Sequence, residues 1–365
     1  RQCTFGIEEE YLLVKLATGQ VMAAPSAAVA RCCRDALGPW FAEEMFHSQI
    51  VIASPVFDTL HQAREFFGER RQCLAQALAN EGAGLYGAAS HPSAQWLRQR
   101  PRGSPHYRQL FDDYQLVARR SLLNGLHVHV GVPVGIDRMR VINRVLYWLP
   151  LLLALSTSSA YWGGEDTGYM SYRRAVCGEW PHMGLPEPLP DWSAYQRYRA
   201  LLQRTGSLAE DGDFWWAIRP SRRFPTVELR ICDGCPRLED ALAVAGLFRH
   251  LVEQALARHD DPASREMRWV TQENYWRALR QGRLATFIGV HAQQPVSAEG
   301  WLMQLQQQCP ADTADAERSF IQARHILREG SSADRQRQAF VLAREQGLDN
   351  RQAMRAVYGQ VMSDF

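Results

Sequence analysis

The sequence predicts an α+β fold, a sheet with one polar and one apolar face followed by a mostly helical C-terminal region. Three short stretches carry that prediction: Glu8-Glu9-Glu10 in GIEEEY, His127-Val128-His129-Val130 in LHVHVGV, and Glu228-Leu229-Arg230-Ile231 in TVELRIC. Strand side chains alternate with a period of two, so Glu8 shares a face with Glu10, His127 with His129, and Glu228 with Arg230. Val128, Val130, Leu229 and Ile231 turn the other way, toward a core. Strand patterns concentrate before residue 233 and helical patterns after it, which is the segregation of an α+β chain. Carboxylates with imidazoles suit Mg²⁺ or Mn²⁺, and an arginine beside them suits an anion.

The elements follow in order. Ser26 precedes an alanine-rich stretch that stops at Gly38, a short helix with a cap and a stop. Residues 47–53 read as a strand, 58–80 as a helix, and 85–89 as a short strand broken by His91-Pro92. A helix over 107–123 leads into the His127 strand, and Asp137 caps the next helix. The apolar run 145–155 contains Pro150 and is shorter than the roughly 20 residues a bilayer requires, so it reads as a buried helix or helix pair. Residues 156–205, rich in Gly, Pro, Trp, Tyr and Ser, read as a long ordered loop. Residues 214–218 and 226–232 read as two strands joined by a basic turn over 219–223. Helices over 238–258 and 263–281 follow, then three more, the last with a capping box of Asp349 and Gln352.

Composition narrows the function. With 46% hydrophobic and 22% charged residues the chain has the profile of a globular protein, not of a disordered or membrane-embedded one. Its 41 Lys+Arg against 39 Asp+Glu leave a net charge of +2, which argues against nucleic-acid binding by bulk charge. Eight cysteines are scattered from Cys3 to Cys309, a pattern of reduced thiols. No signal segment precedes the first strand pattern, so a cytoplasmic location is expected. Cys232-Asp233-Gly234-Cys235 spells C-x-x-C, open to a redox or zinc reading, but no second such pair accompanies it.

Taken together, GIEEEY, SHPSAQW, HVHVGV, ALSTSSAYWGGEDTGYMSYR, WWAIRPSRRFPTVELRICD and ENYWRALRQG occur in the order seen in the carboxylate-amine ligase family, the YbdK-type branch of glutamate–cysteine ligase type 2. This resemblance spans residues 3 to about 289. It implies a glutamine synthetase-like antiparallel sheet, with residues 1–289 as the catalytic domain and 290–365 as a helical extension packed on it. It also implies ATP with Mg²⁺ or Mn²⁺, and amide formation between a glutamate-like carboxylate and an amine such as cysteine through an acyl phosphate. Small-molecule partners and a homo-oligomer belong to the same expectation.

By similarity Glu8, Glu10, His127 and Glu228 are metal ligands, and His129 faces the ATP phosphates. Arg230 is expected to hold the phosphoryl group or the substrate carboxylate. Arg219 and Arg173 match family arginines suited to bidentate contact with a carboxylate or acyl phosphate. Glu9 points away and is expected to be a dispensable surface charge. Segment 156–205 is the candidate lid. Several matches have equally good structural readings: His91 in a turn, Trp162 and Trp215-Trp216 in the core, Asp166 and Tyr169 ordering the loop, and Asn274 and Arg277 on a helix face.

The chain also departs from the family pattern. A second carboxylate strand of the form E-S-M-V-E-L-A-T reads here as residues 47–54, with His47 and Val51 where glutamates are expected, and Ala217 stands for the usual Asp of W-D-I-R-P. Glu43 has the parity to reach in if the strand starts early, and His47 can itself bind a metal. The alternative reading is a nucleotide-binding or regulatory relative without ligase activity.

Overall fold

A long strand, apolar at one end and acidic at the other, organises the molecule. The computed structural model describes residues 2–210, 212–258, 265–289 and 294–365. Its strands are β1 (Phe5–Lys15), β2 (Phe41–Glu43), β3 (Gln49–Ala53), β4 (Ala83–Tyr86), β5 (Leu126–Gly131), β6 (Tyr161–Trp162), β7 (Glu165–Asp166), β8 (Ile218–Pro220), β9 (Thr226–Leu229), β10 (Thr286–Ile288) and β11 (Pro295–Ser297). Seven of them form one antiparallel sheet in the order β2-β3-β1-β5-β9-β8, with β4 on the far half of β1.

One sheet face carries Phe5, Ile7, Leu13, Ile52, Val128, Val130, Leu229 and Ile231 into the main core, where helices Leu60–Ala79 and Leu238–Ala257 cover it. The other face is polar along Glu8 and Glu10. Beyond them Leu12 and Val14 pack with Tyr86 and Val361, so the C-terminal helix Asn350–Ser363 closes that end of the polar face.

Glu9 is a correction to the expectation of a dispensable surface charge. It does point away from Glu8 and Glu10, but the other side of this sheet is the core. Glu9 is buried and accepts from Arg71 Nε at 3.0 Å and Nη2 at 2.7 Å, and Tyr11 Oη donates to it as well. Arg71, also buried, donates onward to Cys235 O at 3.1 Å and Pro236 O at 2.6 Å. One ion pair thus joins β1, the helix Leu60–Ala79 and the chain leaving β9.

Three further expectations change. Segment 156–205 holds the β6–β7 hairpin and the helices Tyr172–Cys177 and Trp192–Arg204, the second capped by Asp191. Its inward stripe is aromatic, with Tyr195 and Tyr198 against Phe214 and Trp216, so the composition resembles a loop. Arg219 lies within β8, cross-strand from Glu228, and not in the turn. Four helices close the chain where three were expected: Ala298–Gln308, Ala314–Glu329, Ser332–Glu345 and Asn350–Ser363. The helix expected from 263 is present as Arg265–Gln281, and residues 263 and 264 lie outside the described residues. The expected boundary at 290 falls outside them too.

Among the described residues, the run Arg138–Ser156 is the one helical stretch long and apolar enough to cross a membrane, and 89% of its apolar window is buried in this fold. Pro150 sits in the first turn of helix Leu149–Ser156, where its missing N–H costs nothing.

Removing one partner of a buried ion pair strands the other charge. Glu9→Ala is therefore expected to lower the unfolding free energy by about 3–5 kcal/mol, where a surface charge would change it by roughly 0.5 kcal/mol or less. Urea denaturation of both proteins reads this directly.

Candidate active site

Register assembles the polar face. Glu8 lies opposite His127, His129 opposite Glu228, Glu228 opposite Arg219 on its other side, and Glu10 opposite Val51. Two adjacent rows therefore cross the sheet, Glu8 with His127 in one, and His129, Glu228 and Arg219 in the next, where Gly6 stands opposite His129. His127 Nδ1 is 3.4 Å from Glu8 Oε2 and its Nε2 is 3.6 Å from Glu10 Oε1. His129 Nε2 is 3.7 Å from Glu8 and 4.0 Å from Glu228. Among the described residues, Glu8, His129 and Glu228 form one group whose ligand atoms all lie within 4.8 Å of one another. His129 Nδ1 meets Thr226 Oγ1 at 3.0 Å, which orients the ring.

Burial alone would raise the Glu228 carboxyl, but Arg230 and Arg219 hold it well below the usual carboxylate range. Arg219 donates from Nε at 2.7 Å and Arg230 from Nη1 at 2.5 Å. For His127, burial and then Arg230 push the imidazole down to about 4, so it is neutral and free to act as a ligand near neutral pH. Glu10 is the opposite case. Burial, followed by the nearby Glu44, pushes its carboxyl up to about 8, although Gly125 N–H donates to it.

Glu44 was missed in the sequence. The chain turns between β2 and β3, so parity cannot be counted through residues 44–48. β2 pairs Ala42 with Val51, which faces Glu10, and Glu44, just past the end of β2, turns into the same site. Glu44 lines a cavity of about 220 Å³ together with Glu10, His127, Arg173 and Arg230. Burial raises its carboxyl as well. Neither residue proposed earlier takes this place: His47 is exposed, and Glu43 is exposed and paired with Arg102 at 2.9 Å. A strand-wide parity rule put them inward, and the turn removes that rule. Val51 does face the site, beside Glu10, as a buried apolar side chain.

Arg173 is buried at the start of helix Tyr172–Cys177 and donates to the carbonyls of Cys232 at 3.0 Å, Ile231 at 3.3 Å and Arg230 at 3.3 Å. A Cβ at Gly125 would stand 2.4 Å from its Nη2, so only glycine permits this approach. Asp233, inside the C-x-x-C stretch, is a second residue that sequence reasoning missed. Fully buried, it accepts from Ser158 N at 3.0 Å, Ser159 Oγ at 2.8 Å and Ser171 Oγ at 2.8 Å, and Ser159 Oγ accepts from Arg173 N. The flanking Cys232 and Cys235 are buried in the core, and burial pushes the Cys232 thiol up to about 12, which disfavours redox or zinc chemistry there.

A profile of glutamate–cysteine ligase family 2 matches residues 4–359. The chain belongs to that family. A Pseudomonas entomophila relative provisionally named glutamate–cysteine ligase 2 is 75% identical over 365 residues, covering 100% of this chain and 96% of the relative. A Pseudomonas aeruginosa relative of the same name is 45% identical over 362 residues, covering 99% and 95%. Among solved structures, the glutamate–cysteine ligase of Francisella tularensis in complex with AMP aligns with TM-score 0.67 at 14% identity, covering 99% of this chain and 89% of that one. A bifunctional glutathione synthetase from Pasteurella multocida aligns with TM-score 0.71 at 15% identity, covering 100% and 53%. The glutamine synthetase-like ligase fold expected from the motifs is the fold of this chain.

In this member of glutamate–cysteine ligase family 2, several motif residues are structural. His91 Nε2 meets Gly19 O at 2.7 Å, Asn274 brackets Ile288 N and O, and Arg277 pairs with Glu273. Asp166 pairs with Arg337 of the C-terminal helices at 2.7 Å. Trp216 is core, whereas Trp215 joins Trp180 in the wall of the 220 Å³ cavity. Asp213 sits 3.3 Å from Arg219, a carboxylate beside the arginine where Ala217 offers none.

Asp233→Ala is expected to leave the two serines and the Ser158 N–H without their acceptor. Stability should fall by about 3 kcal/mol, and hydrogen exchange across 158–172 should quicken, read by mass spectrometry.

Proposed function

We propose that this chain is an ATP-dependent carboxylate-amine ligase that joins a glutamate-like carboxylate to an amine, cysteine among the candidates, through an acyl phosphate. One observation carries the reading: Glu8, Glu10, His127, His129 and Glu228 line up across three paired strands, ending against Arg219 and Arg230. The donor set of carboxylates and imidazoles fits Mg²⁺ or Mn²⁺. Crowding of buried Glu10 and half-buried Glu44 supports it, because two carboxyls pushed up by desolvation gain from a cation between them. In this proposal Glu8, His129 and Glu228 hold one ion, and Glu10, His127 and Glu44 hold another. His129 thereby takes a ligand role in place of the phosphate-facing role suggested by resemblance. Bound there, the ions would neutralise phosphate charge.

The chain's own residues supply the rest. Arg230 and Arg173, at the cavity wall, bind and orient the substrate carboxylate so that its oxygen attacks the γ-phosphorus of ATP, expelling ADP. Arg219 faces the transferred phosphoryl group. Trp180, Trp215 and Met183 line the same cavity and exclude water from the acyl phosphate until an amine attacks the carbonyl carbon and phosphate leaves. Glu44 answers much of the case for an inactive relative, since it restores a carboxylate that Val51 lacks. All eight cysteines are free, in keeping with a reducing cytoplasm, and the family resemblance supports a homo-oligomer.

Purified protein incubated with ATP, Mg²⁺ or Mn²⁺, glutamate and an amine panel including cysteine should release ADP and yield an amide by mass spectrometry. Glu228→Ala should lower turnover by at least about 10²-fold. Absence of ADP and of amide with every pair would sink the proposal.

Metal binding should depend on pH through Glu10. Its raised carboxyl keeps a proton up to about 8, and a ligand must lose it. Apparent Mn²⁺ affinity should therefore climb by up to about tenfold per pH unit from 6 to 8 and then level, with proton release in calorimetry. The same shift makes the metal-free protein lose stability as pH rises from the ordinary Glu range through about 8, because the folded state then binds the extra proton. Glu44→Gln should move the levelling point to lower pH.

A further inference from the structure

A second cavity, larger than the one at the polar row, lies at the opposite end of β1. It encloses about 620 Å³ between the turn after β1, the segment around residues 91–99 and the N-terminal turns of helix Asn350–Ser363. It shares no lining residue with the cavity that holds Glu10 and Arg230. The apolar cluster of Leu12, Val14, Tyr86 and Val361 belongs to the stretch of β1 between them.

Among the described residues its lining includes four cations, Lys15, Arg98, Arg351 and Arg355, and no acidic side chain. Lys15, Arg98 and Arg351 enter none of the ion pairs found among the described residues, and Arg355 donates only to Ala17 O at 3.4 Å. The acid nearest in sequence, Asp349, is committed to its helix cap, accepting from Gln352 N at 2.8 Å. His91 adds no charge near neutral pH, since burial pushes its imidazole down to about 4 and its ring nitrogens meet Gly19 O and Ser93 N.

The second observation is a buried acceptor. Gln99, 6% exposed, lines the cavity; its amide nitrogen donates to Gln95 O at 3.4 Å, while its Oε1 has no donor. A buried amide oxygen without a partner costs stability unless something supplies a hydrogen. Solvated surface arginines need no such acceptor among them.

We propose that this cleft binds a small organic anion that carries two or more negatively charged oxygens and an N–H donor. The cations take the charge, and Gln99 Oε1 accepts the N–H. Its volume lies in the range of small-molecule sites. Phosphates of a nucleotide and carboxylates of a γ-glutamyl peptide both supply this chemistry, and the two sources separate by experiment. The cleft is read from its own residues, and only the choice of ADP and γ-glutamyl probes rests on the ligase reading.

The test uses the full chain carrying Arg230→Ala, titrated by calorimetry with ADP, with γ-glutamylcysteine and with inorganic phosphate. One of the two organic probes should bind at one site per chain, at least about tenfold more tightly than phosphate, and weaken as salt rises. The double change Arg351→Glu with Arg355→Glu should weaken it at least about tenfold, and Gln99→Leu about three- to tenfold, with phosphate unaffected by the latter. Should the helix variant fail to fold, Lys15→Glu with Arg98→Glu reads the same charge. No binding of either organic probe, or binding indifferent to these reversals, overturns the proposal.

Discussion

Burying several carboxylates on one face of a sheet is unfavourable unless cations face them, and that requirement governs this molecule. Glu228 is satisfied within the protein, held between Arg219 and Arg230. Glu8 is drawn below its ordinary range by the two histidines against the effect of burial. Glu10 and Glu44 each accept a backbone N–H, from Gly125 and Met45, yet have no cation paired with them among the described residues, and burial drives both carboxyls upward. The face is thus neutralised at one edge and short of positive charge at the other, the condition under which a site gains from a divalent ion.

The same strand meets the same constraint on its reverse side with a different answer. Glu9 faces the core, and Arg71 compensates it, with two further guanidinium hydrogens taken by carbonyls of the chain leaving β9. That pair anchors the segment in which Asp233 collects the serines of 158–171, and those serines place Arg173. Support for the polar row therefore passes through buried charge on the far side of the sheet.

Family membership and the ligase fold agree with the chemistry of the face. They also sharpen the departures. His47 and Val51 stand where carboxylates are expected, and the β2–β3 turn delivers Glu44 to the cavity beside Glu10, which makes good one of the two. Function in such a family depends on which atoms converge, and convergence is decided by backbone path more than by alignment column.

Strand periodicity was legible from the sequence. Alternation placed Glu8, Glu10, His127, His129, Glu228 and Arg230 on one face, because a period of two holds wherever a strand is unbroken. Caps were legible too, as at Ser26, Asp137 and Asp349, since their bonds span only two or three residues. Tertiary structure alone decided the rest. Whether the face opposite Glu8 meets water or a helix set the meaning of Glu9, and a turn between β2 and β3 exchanged His47 and Glu43 for Glu44. An aromatic helix over Trp192–Arg204 looked like a loop because its stacking partners, Phe214 and Trp216, lie elsewhere in the chain. Local alternation and capping are properties of neighbouring residues, whereas burial, charge pairing and convergence depend on segments far apart in sequence, which only the folded chain brings together.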